Sequence, residues 1–227
     1  MATIQYVAAG TFTSGAAALS VPAPAGILAG DLLLMLCESA NQAIAVPTGY
    51  TEIGAQASQA TGTAAAAGGV RLAVFYKFTT GTEANITVAD SGDHTTARIH
   101  AFRNVNYTNP FNATASGIGT PANTAVTMPA VTTTVPNAMI VLCLANDRDI
   151  ASTNNFAANA VNANLTTITE RTDQTVTTGA GGGIALWTAF KTTVGSTGTT
   201  TATNGAAVTY GYLTIALRPE ARRFLVS

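Results

Sequence analysis

Charge is what this chain has least of. Asp, Glu, Lys and Arg make up 9% of its 227 residues, against roughly a quarter in ordinary soluble domains. Only two lysines occur, Lys77 and Lys191, and the formal net charge is −1. Nucleic-acid binding requires clustered basic residues, so nucleic acid is set aside as a partner. Long apolar runs are also missing. Runs such as Leu32 to Cys37 fall far short of the roughly 20 residues of a membrane helix. The opening Met1-Ala2-Thr3-Ile4-Gln5-Tyr6 lacks the basic and apolar regions of a secretory signal, and no membrane association is expected. Cysteine occurs twice, at Cys37 and Cys143, without metal-ligand spacing. Both lie in apolar runs and read as buried thiols; a disulfide joining the two halves of the chain is the sharper alternative. No Gly-x-Ser-x-Gly motif is present. Gly179-Ala180-Gly181-Gly182-Gly183 has no following Lys-Ser/Thr to cradle a phosphate. No cofactor or metal is expected.

What the chain does have is β structure. Short stretches rich in Val, Ile, Leu, Phe and Thr alternate with Gly, Pro, Asn and Asp clusters, the pattern of many strands and almost no helix. Strands are expected near residues 4–8, 17–21, 32–38, 50–55, 70–78, 85–89 and 95–103. The second half gives 124–128, 138–145, 165–171, 183–191, 198–203 and 209–218. Leu32 to Cys37 and Ile140 to Cys143 are apolar on both faces, which places them in sheet centres. Thr197 to Thr203 reads as an edge. Residues 56–69, 114–124, 146–164 and 179–183 read as loops of low complexity.

The pattern is written twice. Asp31 to Glu38 is echoed by Asn137 to Leu144, which aligns Cys37 with Cys143. Arg71 to Tyr76 is answered by Gly183 to Thr188, Ala97 to Arg103 by Tyr212 to Arg218, and Leu19 to Pro22 by Val126 to Pro129. Framework recurs and charge does not. The expected fold is all-β: a jelly-roll-like antiparallel β-sandwich with an internal pseudo-repeat of two half-sandwiches. Residues 15–219 form one domain, with half-repeats 15–110 and 124–219, between an N-terminal arm of residues 1–14 and a tail of residues 220–227. Two separate small sandwiches are the alternative.

Candidates for chemistry are few. His100 sits between Ile99 and Ala101 and reads as a structural histidine. Asp90-Ser91-Gly92-Asp93-His94 packs two carboxylates and an imidazole into five residues; it reads as a β-turn, with a cation or acid–base site as the alternative. Asp147-Arg148-Asp149 reads as a solvated turn or a carbohydrate-contacting tip. Trp187, matched by Phe75, reads as core rather than a sugar platform.

The segments Gly30 to Leu34, Ala40-Asn41-Gln42, Pro47 to Ile53, Arg71 to Lys77, Asp90 to His94, Ala101 to Val105 with Asn109-Pro110, and Thr214 to Pro219 together resemble virion structural proteins of tailed bacteriophages. The resemblance spans residues 16–219 and rests on strand and turn patterns. It implies a non-enzymatic capsid decoration (cement) protein, a homotrimer that binds the major capsid protein on the capsid surface of the virion. A tail or fibre-associated module binding host-surface glycan is the alternative, and would draw on Asp147, Arg148, Asp149 and Trp187. A glycan-cleaving enzyme would need paired carboxylates that the sequence does not visibly place. Sparse charge suits a subunit that spends its life assembled. The residues expected to make its contacts lie in the two termini: Ile4, Tyr6 and Phe12, with Arg222, Arg223 and Phe224.

Overall fold

The computed structural model describes residues 2–54, 57–60, 69–150 and 158–221. Among them the first half supplies β1 (Gln5–Ala9), β2 (Thr13–Gly15), β3 (Leu19–Val21), β4 (Leu32–Ser39), β5 (Thr51–Glu52), β6 (Ala57–Ala60), β7 (Gly69–Phe78), β8 (Ile86–Val88) and β9 (Thr95–Arg103). The second supplies β10 (Phe111–Met128), β11 (Thr132–Thr133), β12 (Ala138–Asn146), β13 (Ala158–Val161), β14 (Thr166–Val176), β15 (Gly182–Lys191), β16 (Gly195–Ser196) and β17 (Thr200–Leu217). The described fold is all-β and its sheets are antiparallel.

Sheet one runs β1-β9-β4-β7-β5, with β2 also on β9 and β6 also on β7; sheet two runs β10-β17-β12-β15-β14, with β13 also on β17. Two small ribbons, β3-β8 and β11-β16, complete the structure. Each sheet is built from one half of the chain. A jelly roll shuttles the chain between its two sheets, whereas here it crosses once, between Arg103 and Phe111. The jelly-roll expectation therefore gives way to two half-chain sheets packed face to face.

Alternation along the strands explains why the central ones are apolar on both faces. In β4, Leu32, Leu34 and Leu36 meet Met139, Val141 and Cys143 of β12 in the core between the sheets. Leu33, Met35 and Cys37 face outward, where β3, β8 and residues 44–50 cover them with Leu19, Val21, Val88, Ile44 and Tyr50. Sheet two has its own outer layer, in which Trp187, Leu142 and Ile140 lie beneath Val126, Met128, Val131 and Leu165. Each sheet is thus buried twice over.

Register corrects the pairing of the cysteines. Leu32 lies opposite Phe102 and Met139 lies opposite Leu217, so Leu32 and Met139 hold matching places and Cys37 matches Leu144. A shift of one residue exchanges the faces of a strand. Cys37 accordingly points into the outer layer and Cys143 into the central core; both are free and buried, and no disulfide joins the halves. Leu19 to Val21 pairs with β8, and Val126 to Met128 at the end of β10 pairs with Thr200 to Ala202; each segment covers the outer layer of its own sheet, so those two hold like places.

Several expected loops are strands. Residues 114–124 lie within β10, held by β17, with the Tyr212 and Tyr210 rings where side chains at Gly117 and Gly119 would stand. Gly, Ala, Thr and Ser leave no apolar signal, and pairing supplies the strand instead. β6 and β13 fall in the expected loops 56–69 and 146–164, and β15 opens at Gly182 within the fourth, 179–183. Thr201 to Thr203 is no edge, because β10 and β13 flank it. Residues 204–208, left between the expected strands 198–203 and 209–218, lie within β17 at a break in its pairing with β10.

The N-terminal arm is also part of the fold. β1 pairs with β9 at the edge of sheet one. Ile4 is buried in the central core, and Tyr6 and Phe12 are half-buried against it, because the edge strand is needed to cover that core. Ile4 is therefore withdrawn as a contact residue. Arg222, Arg223 and Phe224 lie outside the described residues.

Candidate functional site

Both described chain ends meet at one end of the sandwich. The Ala2 amide donates to Glu220 O, the Glu220 amide to Asn104 O, and Asn104 Nδ2 to Thr3 O. Beside them a recess of about 390 Å³ is lined by Leu28, Asp31, Arg103, Tyr107 and Glu220, among others. Its floor is fixed by charge. Arg103 donates from Nε and Nη2 to the two oxygens of Asp31, at 2.9 and 2.7 Å, and from Nη2 to Gly26 O. That fork geometry suits a guanidinium and a carboxylate, and the Leu28 amide adds a bond to Asp31 Oδ2. Its rim is apolar and exposed: Leu28 is 57% and Tyr107 66% accessible. The Tyr107 ring rests on Phe78, with centroids 4.5 Å apart, so it is held in place although open to a partner. Nothing in the sequence marked Leu28 or Tyr107, since a single exposed apolar residue is ordinary.

At the opposite end the sheets are joined through a buried ionic cluster. Glu38 continues the inward face of β4, next after Leu36, and is fully buried. His94 donates from Nε2 to both Glu38 oxygens at 3.1 Å and from Nδ1 to Asp93 Oδ2 at 2.8 Å. Asp93 Oδ2 also accepts the Ala180 amide of the β14–β15 turn at 2.7 Å, and Thr96 donates to Glu38. The residues of Asp90 to His94 are thus more than a turn: they fasten sheet one to sheet two. Burial pushes the Glu38 carboxyl up to about 7 against the pull of His94. Burial also opposes a charge on His94, but hydrogen bonds and charges of Glu38 and Asp93 outweigh it and raise the imidazole to about 9. Asp93 is held below its usual range, the Ala180 amide and His94 prevailing over burial. With carboxylates at both nitrogens, the imidazole is a double donor. Glu38 was legible only as the one acid closing an apolar strand.

Gly182 makes room for this cluster, because a Cβ there would collide with Glu38 Oε1. Gly182→Ala is expected to cost about 1–3 kcal/mol through displacement of that carboxylate, measurable by urea unfolding; an unchanged midpoint would show that the carboxylate can move freely.

A second polar junction lies between β9 and β14. His100 bonds Tyr6 Oη through Nδ1 at 3.1 Å and Thr172 Oγ1 through Nε2 at 3.2 Å. Arg98 donates to Thr172 Oγ1 and Gly10 O, and the Arg171 guanidinium sits 4.2 Å from the centre of the Tyr6 ring. Burial first, then Arg98 and Arg171, lower His100 to about 3, so it is neutral. This is the structural histidine the sequence suggested, and Tyr6 is its partner. Asp147 and Arg148 are tied down as well: Asp147 Oδ1 accepts the Thr209 amide, and Arg148 donates to Asn204. Trp187 is fully buried.

No protein-family model, no curated protein and no solved structure matches this chain. Function is argued from the geometry above.

Proposed function

We propose that the chain is a non-enzymatic capsid decoration (cement) protein of a tailed bacteriophage, bound to the major capsid protein on the outer shell of the virion. One arrangement carries the reading: the described chain ends, Leu28 and Tyr107 gather around a single recess at one end of a sandwich whose sheets are clamped together elsewhere. That is a rigid body with one adhesive end. A subunit that binds only the assembled lattice stabilises it by its binding free energy, repeated at every site. Arg222, Arg223 and Phe224 follow directly from Ala221 and would extend the contact. The like strand order of the two sheets supports a fold made by duplicating one half-sandwich. The glycan-binding alternative is weakened, because Trp187 is buried and Asp147 and Arg148 bond within the chain.

Copy number tests the reading. Quantitative mass spectrometry of virions carrying the protein should find it in proportion to the major capsid protein; a few copies per particle would reject a shell role. Leu28→Asp with Tyr107→Asp is expected to weaken shell binding at least about tenfold, since buried aromatic anchors dominate such contacts. The melting temperature should not change. Full occupancy by the double variant would remove the recess from the interface.

A further inference from the structure

Sheet edges present unpaired backbone groups, and proteins shield them with shortness, charge or proline. Three edges of this sandwich are shielded. β1, β2, β5 and β6 have no more than five residues each, and β14 carries Glu170, Arg171 and Asp173. The fourth edge differs. β10 spans eighteen residues without a single charge, and among the described residues its backbone between Ala113 and Thr124 bonds only to β17.

We propose that β10 is a self-association edge, along which two copies pair antiparallel about a twofold axis near Ser116 and fuse their second sheets into one. The sequence of the strand is suited to its own reverse. Pro110 and Pro121, which lack an N–H, bound an uninterrupted run whose midpoint falls near Ser116. Within it Ala113, Ala115, Gly117 and Gly119 alternate with Asn112, Thr114, Ser116, Ile118 and Thr120. Reversal about Ser116 sets Ala113 opposite Gly119, Ala115 opposite Gly117, and Thr114 opposite Ile118. Small residues meet small ones, and a β-branched pair forms. The side chains of Thr114, Ser116, Ile118 and Thr120 are exposed, so neighbouring side chains do not obstruct this face.

A second copy fits better than a foreign strand. Strand addition gains affinity from the backbone and specificity from pockets for alternate side chains. The two best-formed recesses among the described residues lie elsewhere, at Leu28 and Tyr107 and beside Gly10 and Arg98, whereas the run of small residues on β10 matches its own reverse. Without charge on the edge, self-pairing brings no like charges together. The symmetric pair yields a dimer in place of the homotrimer that the resemblance implies, and it does not depend on what the recess binds.

Light scattering on the purified full chain should give twice 22.9 kDa. Ser116→Lys with Ile118→Lys sets lysines beside one another across the axis, and like charges there oppose pairing; dimer dissociation should rise at least about a hundredfold, with an unchanged circular-dichroism spectrum. Ser116→Cys should cross-link to a covalent dimer under copper–phenanthroline oxidation, since opposite Cβ atoms stand roughly 5 Å apart in such pairs and native Cys37 and Cys143 are buried. Thr169→Cys on β14 should not. A monomer or trimer by light scattering, a dimer indifferent to the lysines, or equal cross-linking at both positions would overturn the proposal.

Discussion

Replacing His94 by alanine is expected to lower the melting temperature by roughly 6–20 °C, the consequence of about 3–5 kcal/mol lost when a buried ion pair is broken in a chain of this size. The loss comes from Glu38, which keeps its buried place and loses the donor that faces both of its oxygens. The β14–β15 turn would loosen too, because Asp93 orients the Ala180 amide while itself held by His94. Scanning calorimetry of His94→Ala tests this, and a shift under 2 °C would show that the cluster does not clamp the sheets.

The same cluster predicts a pH dependence. Folded His94 keeps its proton to about 9, against about 6.5 when unfolded. Between those values the folded state binds more protons, so stability is full below 6.5 and falls as pH rises. Glu38, raised to about 7, acts in the same direction but finishes near 7. His100, lowered to about 3, acts oppositely and only below 6.5. From pH 7 to 8 the decline therefore belongs mainly to His94, at up to about 1.4 kcal/mol per pH unit. The buried thiols add to it from about pH 8 upward, because only the unfolded chain ionises them there. In Glu38→Gln with His94→Gln the slope between pH 7 and 8 should fall by at least about half. Equal slopes in urea melts of the two proteins would assign the decline to other groups.

Trp187→Ala is the second large effect. Trp187 is among the largest fully buried side chains, and its ring fills the outer layer of sheet two with Leu142, Val131 and Leu165 around it. Truncation removes that burial and leaves a cavity, at a cost of about 3–5 kcal/mol. Chemical denaturation should show a lower midpoint at unchanged m-value. A stable Trp187→Ala protein that had lost glycan binding would favour the ligand-platform role over the core role.

Much of the framework was legible because it is local. Leu32 to Cys37 and Ile140 to Cys143 announce doubly buried strands, and Phe75 and Trp187 do hold matching outer-layer places. The failures have one cause. β10 lacks apolar periodicity and exists because β17 pairs with it. The cysteine alignment failed by one residue, since matching apolar runs carry no mark of which partner fixes their register. Asp93 and His94 looked like turn residues, as their near neighbours are Ser91 and Gly92. Glu38, 56 residues away from His94, gives the imidazole its second carboxylate.

The sequence by itself determined an all-β chain with apolar central strands and a charge-poor surface, because hydrophobic alternation and β propensity act over a few residues. The tertiary structure alone decided which face each cysteine takes, that Glu38, His94, Asp93 and Ala180 meet, that residues 2 and 220 close on one recess, and that β10, among the described residues, pairs on one side only. Each of these is a distance between residues far apart in the chain, fixed only when the strands choose their partners.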